Sequence, residues 1–321
     1  MNHDKKSKIT LAILLKSVLQ LIGIRAPIAR IYRKIRYEKL VLPYRLSARF
    51  SHKMGVTYKK RNPELIVSLT TIPQRIPTLH LCIESLLSQS IKPDIITLWL
   101  NEKDKHGNKK LSSNDLPKSL TRLEKRGLVI EWCENIGSYC KLIPTIRKYP
   151  NALIVTADDD QLYPQNWLEQ LYNAYLHEPQ YIHCHIAHLI KYANNKKPLP
   201  YLEWDLNAIG HQGPSLDIFP TGAGGVIYAP HHLNEEVLNE KVFLEICPKA
   251  DDVWFKAMSL LNNVLCKKTS KNTMILKPLQ IKNNKTLWTG NWSDGGNDQQ
   301  INAVASRYGL LGFSKITDSL N

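Results

Sequence analysis

The sequence predicts an α/β fold, a mostly parallel central sheet flanked by helices, preceded by a basic helical N-terminal extension. Three observations lead there. Between residues 65 and 160, short apolar runs rich in β-branched residues alternate with segments of helical periodicity. The last of these runs, Ala152–Ala157, stops abruptly on three carboxylates, Asp158, Asp159 and Asp160. The charge is also segregated. Residues 1–61 hold 16 Lys/Arg and 2 Asp/Glu, a net +14, whereas residues 62–321 hold 27 and 26, a net +1.

With 321 residues the chain is long enough to bury a full core. It divides into a basic segment, 1–61, and a body, 62–321. Nearly all of the overall +15 sits in the first segment. A neutral body is not a basic nucleic-acid-binding domain, so no nucleic-acid partner is expected. The six cysteines, at 82, 133, 140, 184, 247 and 266, show no Cys-x-x-Cys spacing. That argues against a zinc site or a disulfide framework and suits a reducing cytoplasm.

Within the basic segment, Ile9–Ile24 is apolar but interrupted by Lys16, Ser17 and Gln20. It is shorter than the roughly 20 residues that span a bilayer. A signal peptide was weighed on the positive start and apolar middle, but Arg25 and Arg30 follow in place of an Ala-x-Ala-like cleavage site. Ile28, Ile31, Tyr32 and Ile35 then fall at helical spacing, with Arg30, Arg33, Lys34 and Arg36 between them. This pattern suits a helix lying on an anionic membrane surface, or one packing its Ile stripe on the body.

The body opens with a buried strand, Leu65–Thr70, and a loop, Thr71–Arg75. Thr78–Ser88 reads as a helix, with Leu79, Cys82, Ile83, Leu86 and Leu87 on one face, and Ile95–Leu100 as the second strand. Two strands joined by a helix form a right-handed crossover, hence a parallel pair. Residues 101–118 are polar and read as a surface loop. Leu128–Trp132 is the third strand, followed by a short helix at Leu142–Lys148, and the run before Asp158 is the fourth. In such a doubly wound sheet, ligands bind at the C-terminal ends of the strands.

The second half is less regular. Tyr181–His188 reads as a strand in which His183 and His185 share a face; lacking a His-Glu-x-x-His arrangement, they read as structural. Leu202–Ile218 is loop-like. Thr221–Tyr228 is a glycine cluster running into a strand, which marks a tight turn or close approach of backbone to a ligand. It is not a phosphate-binding P-loop, because no Gly-Lys-Ser/Thr follows. Asp251 and Asp252 stand at a helix start, where the helix dipole alone would favour them. Trp288 and Trp292, in a Gly/Asn/Asp-rich stretch before a helix at Gln299–Tyr308, suit stacking on sugar faces or anchoring in the core.

The two acidic clusters carry the chemistry. Alternation in an extended segment sends Asp158 and Asp160 one way and Asp159 the other. Two carboxylates converging at a strand tip make a hard oxygen site suited to Mg²⁺ or Mn²⁺, which takes its remaining ligands from water and a substrate phosphate. The plainer reading, an Asp capping the next helix, needs only one of the three. For Asp251 and Asp252 the functional reading is a general base and a group that binds acceptor hydroxyls.

A strand ending in Asp-x-Asp with a following Tyr163-Pro164 resembles the metal-binding motif of glycosyltransferases with the nucleotide-sugar-binding fold called GT-A. Further stretches resemble, in order, the blocks of a bacterial GT-A group similar to family-2-type transferases of surface-polysaccharide (capsule or lipopolysaccharide) assembly. They are Val67–Ile76, Glu84–Ser90, Gly222–Tyr228 and Lys249–Trp254. The resemblance covers roughly residues 64–310. It implies a metal-dependent, inverting transfer of a sugar from a nucleotide-sugar donor to a saccharide or lipid-linked saccharide acceptor. It implies that Thr70, Arg75 and Lys141 hold the nucleotide or its phosphates. Asp158 lies near the ribose and the metal, Asp160 on the metal, and Asp251 or Asp252 is the base. Together with the basic segment it implies a cytoplasmic protein, peripheral on the cytoplasmic face of the inner membrane. One departure stands out. Many such enzymes have a C-terminal His as a further metal ligand, whereas no His follows His232 here, leaving Asp294, Asp298 or water for that place. The competing readings are a non-catalytic carbohydrate- or nucleotide-binding protein on the same scaffold, and a metal-dependent nucleotidyltransferase or phosphatase.

Overall fold

The computed structural model describes residues 25–104, 106–194, 197–279 and 295–310. Ile9–Ile24, Trp288, Trp292 and Asp294 lie outside them. The chain forms two compact units, residues 1–50 and 51–321. In the first, helix α1 runs from Arg25 to Phe50 and exposes Ile31, Tyr32, Ile35, Leu42, Leu46 and Phe50. Arg30, Arg33, Lys34 and Arg36 are exposed as well. Among the described residues, no helix is long and apolar enough to cross a membrane.

The structural boundary at 50 falls earlier than the sequence boundary at 61, and the reason is local. Gly55 N–H donates to Arg126 O, Thr57 N–H to Pro93 O, and Arg61 pairs through its guanidinium and its backbone N–H with buried Asp94. Asp94 also accepts from Leu65 N–H, so the segment after α1 is tied to the first strand of the body.

That body is a mixed α/β unit around a mostly parallel seven-stranded sheet. Its strands are β1 (Leu65–Thr70), β2 (Ile95–Leu100), β3 (Leu128–Trp132), β4 (Leu153–Thr156), β6 (Ile182–Cys184), β9 (Val226–Tyr228) and β10 (Cys266–Lys268), in the order β10-β6-β9-β4-β1-β2-β3. β3, β2, β1 and β4 form the expected parallel block. Their β-branched and Leu side chains bury on both faces, as an interior parallel sheet requires. β9 is antiparallel to both neighbours, with Val226 opposite Thr156 and Cys184, and β10 is parallel to β6. Two small antiparallel pairs stand apart, β5 (Gln161–Leu162) with β11 (Lys277–Pro278) and β7 (Ala187–Leu189) with β8 (Ile218–Pro220). The stretch read as one strand at 181–188 is therefore two, β6 and β7. The chain leaves the large sheet after Cys184, so strand alternation no longer relates His183 to His185.

The helices are α2 (Ile76–Leu87), α3 (Lys118–Thr121), α4 (Ile143–Lys148), α5 (Trp167–His177), α6 (Glu240–Ile246), α7 (Asp251–Leu261) and α8 (Gly296–Tyr308). The Glu84–Ser90 stretch explains how the tip of β4 is held. Glu84 forms a buried ion pair with Arg126. Ser85 Oγ accepts from Tyr163 N–H, Gln89 donates to Pro164 O and accepts from Leu168 N–H, and Ser90 Oγ donates to Gln165 O. The C-terminal half of α2 thus grips the chain just beyond Asp158–Asp160. Behind the sheet, Tyr139 stacks on Phe243 with ring centroids 4.0 Å apart, and Trp254 is fully buried. These rings seat α6 and α7 on the core.

Candidate active site

Parallel β1 and β4 end on the same edge, and reversed β9 begins there. That register gathers three segments at one rim: the turn after β4, the loop after β1, and the 222–224 turn before β9. The three acids of the β4 tip lie in the turn beyond the strand, where strand alternation no longer applies, and contacts separate them. Asp159 turns inward, with a side chain only 5% exposed, where Thr71 Oγ1 donates to it at 2.5 Å and Arg75 pairs with it. Asp158 and Asp160 stay open, with side chains 29% and 26% exposed. Burial raises the Asp159 pKa to about 6 against the pull of Arg75. For Asp160, burial and then the charge of Asp158 raise it above the ordinary carboxylate value. The two open carboxylates therefore sense each other.

Arg75 supports this tip. Its guanidinium pairs with Asp159 and lies 3.3 Å from Asp160. Burial opposes its charge, but the two carboxylates hold its pKa above the ordinary value. A phosphate-binding part for Arg75 would therefore be shared with holding the acidic turn. Thr70, expected beside the nucleotide, donates its hydroxyl to Trp99 O and so turns toward β2. Its neighbour Thr71 is the hydroxyl that meets the acids.

The second acidic cluster opens α7. Asp251 is buried, and its Oδ2 lies 3.1 Å from Lys141 Nζ, whose other carboxylate partner is Asp158 Oδ1 at 2.9 Å. One buried ammonium, on the 137–141 turn after β3, thus joins both acidic clusters. Burial works against that charge, yet Asp158, Asp251 and Asp252 hold the Lys141 pKa well above its ordinary value. Asp252 Oδ1 accepts from Gly222 N–H at 3.0 Å. Burial and then the neighbouring Asp251 push the Asp252 pKa up to about 7, although Lys141 pulls the other way. A carboxylate with that proton affinity is chemically suited to general-base work near neutrality.

The glycine cluster divides by purpose. A Cβ on Gly224 would collide with Ile186, and one on Gly225, where φ is +93°, would collide with the Trp167 ring. Trp167 also donates its indole N–H to Gly224 O at 2.7 Å. These two glycines serve packing. Gly222 alone faces the acids, since a Cβ there would stand 2.7 Å from Lys141 Nζ and 3.0 Å from Asp252 Oδ1.

Among the described residues, no group of three or more His, Cys, Asp or Glu side chains is arranged to hold a metal ion. The donor set at the tip nonetheless fits one. Asp158 and Asp160 are hard oxygen donors, open to solvent on one side, and their mutual repulsion is what a divalent cation relieves. Mg²⁺ and Mn²⁺ are commonly held by one or two carboxylates, with waters and substrate phosphates completing the shell. Asp298, weighed as a further ligand, has its Oδ1 engaged by Tyr201 N–H at 2.7 Å.

No protein-family model matches the chain, and no curated protein sequence matches it. Among solved structures, it is similar to that of Staphylococcus aureus TarS residues 1–349, with a TM-score of 0.44 and 13% sequence identity. The match covers 67% of this chain and 60% of that one, so the chain spans less than two thirds of that structure.

His183 and His185 make contacts within the fold, as their reading as structural side chains expects. His183 Nε2 contacts Glu178 O, and His185 is engaged at both ring nitrogens, by Thr269 Oγ1 and Trp167 O. Burial lowers the His185 pKa to about 4, so it is neutral there. Sequence reasoning missed three residues of the site. Thr71 adjoins the expected Thr70. Tyr163, read only as part of a Tyr-Pro signal, accepts from Asp158 N–H at 2.8 Å. Gly222 was hidden in its cluster, where only three-dimensional contacts separate it from Gly224 and Gly225.

Proposed function

We propose that the chain is a glycosyltransferase that moves a sugar from a nucleotide-diphosphate donor to a saccharide or lipid-linked saccharide hydroxyl, with inversion. The observation that carries this reading is the position of Lys141 between Asp158 and Asp251, which makes one site of an open carboxylate pair and a closed one. Asp158 and Asp160 would hold Mn²⁺ or Mg²⁺, which neutralises the charge of a departing diphosphate. Asp252 accepts the proton of the acceptor hydroxyl as that oxygen bonds to the anomeric carbon and the bond to the diphosphate breaks. Gly222 N–H keeps the carboxylate aimed, and Asp251, neutralised by Lys141, is left to orient acceptor hydroxyls. Lys141 limits repulsion between base and donor, and Arg75 and Thr71 hold the turn that carries the metal ligands. Inversion rests on the base facing the leaving group across the sugar, as the resemblance to GT-A enzymes implies.

The apolar and basic exposed side chains of α1 support a peripheral seat on an anionic leaflet. There each Lys or Arg near the surface contributes about 1 kcal/mol, and buried apolar side chains add to it. In surface-glycan assembly, that seat is the cytoplasmic face of the inner membrane, beside lipid-linked acceptors. The test is a thermal-shift screen of nucleoside diphosphates with and without Mn²⁺, followed by product analysis with the matching nucleotide sugars. Metal-dependent stabilisation and release of nucleoside diphosphate are expected. Release of pyrophosphate would identify a nucleotidyltransferase, and nucleotide binding without any turnover a binding protein.

A further inference from the structure

All six cysteines are free thiols, and five of them, all but Cys133, are buried. Burial pushes the Cys82 and Cys184 thiols well up, and that of Cys247 to about 12, which makes them poor nucleophiles. Cys133 and Cys140 are different. They lie seven positions apart, on either side of the loop between β3 and Lys141, and the fold brings them together. The Asn101 amide donates to both sulfurs, at 3.5 Å to Cys133 Sγ and 3.4 Å to Cys140 Sγ. Cys140 Sγ also lies 3.5 Å from Glu134 O. The neighbouring thiols raise the Cys133 pKa and lower that of Cys140 to about 7. Cys133 is only half-buried, so the pair is open to small reagents through it.

We propose that Cys133 and Cys140 form an oxidation site that a hydroperoxide converts to a reversible disulfide. In the first step, a thiolate of the pair attacks the peroxide, an S–O bond forms, and the O–O bond breaks. The departing oxygen leaves as water when the oxidant is hydrogen peroxide. The second sulfur then attacks the sulfenic sulfur, the S–S bond forms, the S–O bond breaks, and a second water leaves. Two thiols and one hydrogen peroxide thus become one disulfide and two waters. The ring closed is short, so the bond removes less unfolded-chain entropy than a long-range disulfide would. The partial exposure of Cys133 leaves the bond within reach of reductants, as in labile disulfides.

The bond has a structural consequence. Cys133 is anchored at the end of β3, where its N–H donates to Leu100 O and its carbonyl accepts from Asn101. Cys140 belongs to the 137–141 turn and precedes Lys141. Drawing Cys140 Sγ onto Cys133 therefore shifts the turn, and with it the ammonium between Asp158 and Asp251. This consequence rests on the proposed function; the disulfide itself does not.

The test uses the full chain, folded and reduced, treated briefly with hydrogen peroxide, alkylated and digested with trypsin. Cleavage after Arg126 and Lys141 releases Gly127–Lys141, which contains Cys133 and Cys140 and no other cysteine. The expected peptide is unalkylated, lighter by two hydrogens, and restored by dithiothreitol, while the other four cysteines remain alkylated. Cys133→Ser and Cys140→Ser should each abolish it. Sulfinic or sulfonic acid at Cys133 without the internal bond would overturn the proposal, and so would a peptide left fully alkylated. If sugar transfer is measurable, oxidation should lower turnover by roughly tenfold to a hundredfold, the scale of a displaced positioning group. The Cys133→Ser protein should be insensitive. The mass readout stands without any turnover, so failure of the transferase reading and failure of the oxidation site are told apart.

Discussion

The two acidic clusters share a residue type and a cation yet are built in opposite ways. At the β4 tip one Asp is sacrificed to the scaffold, since Asp159 is buried against Thr71 and Arg75 so that Asp158 and Asp160 can face outward. At the start of α7 Asp251 is buried and Asp252 half-buried, and desolvation raises Asp252 to about 7. The open pair keeps its charge accessible, which suits the metal site proposed above. The closed pair carries a proton affinity near neutrality, which suits the proposed base. Position relative to solvent, set by the strand end in one case and the helix start in the other, assigns different chemistry to the same side chain.

The sharpest way to break this contrast is to remove an open carboxylate. Asp160→Ala should lower turnover by roughly 10³-fold, since a metal at a departing diphosphate is worth several kcal/mol. It should also abolish the Mn²⁺-dependent part of nucleotide affinity in titration calorimetry. Near-normal, metal-stimulated turnover would put the metal elsewhere. Asp252→Asn should lower turnover by roughly 10²-fold, the usual scale of general-base loss, with donor affinity retained. If Asp251→Asn proves the more damaging of the two, the roles within the closed pair are exchanged.

Titration sharpens the contrast further. In the intact protein kcat/KM should fall as pH drops through about 7, where Asp252 takes up its proton. Asp251→Asn removes the adjacent negative charge, so this limb should move to lower pH. Because the folded-state pKa of Asp252 lies above its ordinary value of 3.8, protonation favours the folded state. The group's contribution is therefore most favourable below the ordinary value and is lost as pH rises through about 7. Asp252→Asn should raise the melting temperature at pH 8 relative to the parent, and not at pH 4.

Gly222→Ala is a smaller perturbation. Its Cβ would press on the buried ends of Lys141 and Asp252, so turnover should fall by roughly tenfold through displaced charge. The smallest effect on the comparison should come from deleting residues 1–50. A chain beginning at Ser51 keeps both clusters and the contacts of Gly55, Thr57 and Arg61, so turnover of a water-soluble acceptor should be unchanged. Only sedimentation with anionic liposomes at low salt should be lost, and in the full chain high salt should partly release it. If the full chain ignores such liposomes, the apolar side chains of α1 serve another surface.

The parallel block was legible because interior strands announce themselves. Leu65–Thr70, Ile95–Leu100 and the run before Asp158 are mostly apolar on both faces, the edge strand Leu128–Trp132 is partly so, and each is separated from the next by enough chain for a crossover. The reversed strand was not legible. β9 is three residues long, and nothing in Val226–Tyr228 encodes its direction, which follows from pairing with β4 and β6. At the site, the acids were found because three carboxylates after an apolar run need a reason. That Asp159 would point away from its neighbours was expected, but its partners Thr71 and Arg75 and the bridging place of Lys141 were not legible. Both depend on contacts between residues far apart in sequence, 84 positions for Arg75 with Asp159 and 110 for Lys141 with Asp251.

The bridging place of Lys141 also has a consequence for synthesis. Domains fold from the N-terminus as they emerge, and the parallel block β1–β4 is complete once residue 156 is free. A few residues later the Asp158–Asp160 turn has emerged beside Lys141, but Asp251 and Asp252 are still unmade. A nascent chain halted near residue 200 would thus carry the open cluster without its counterpart. Under the proposed function, translation assembles the donor side of the site before its base.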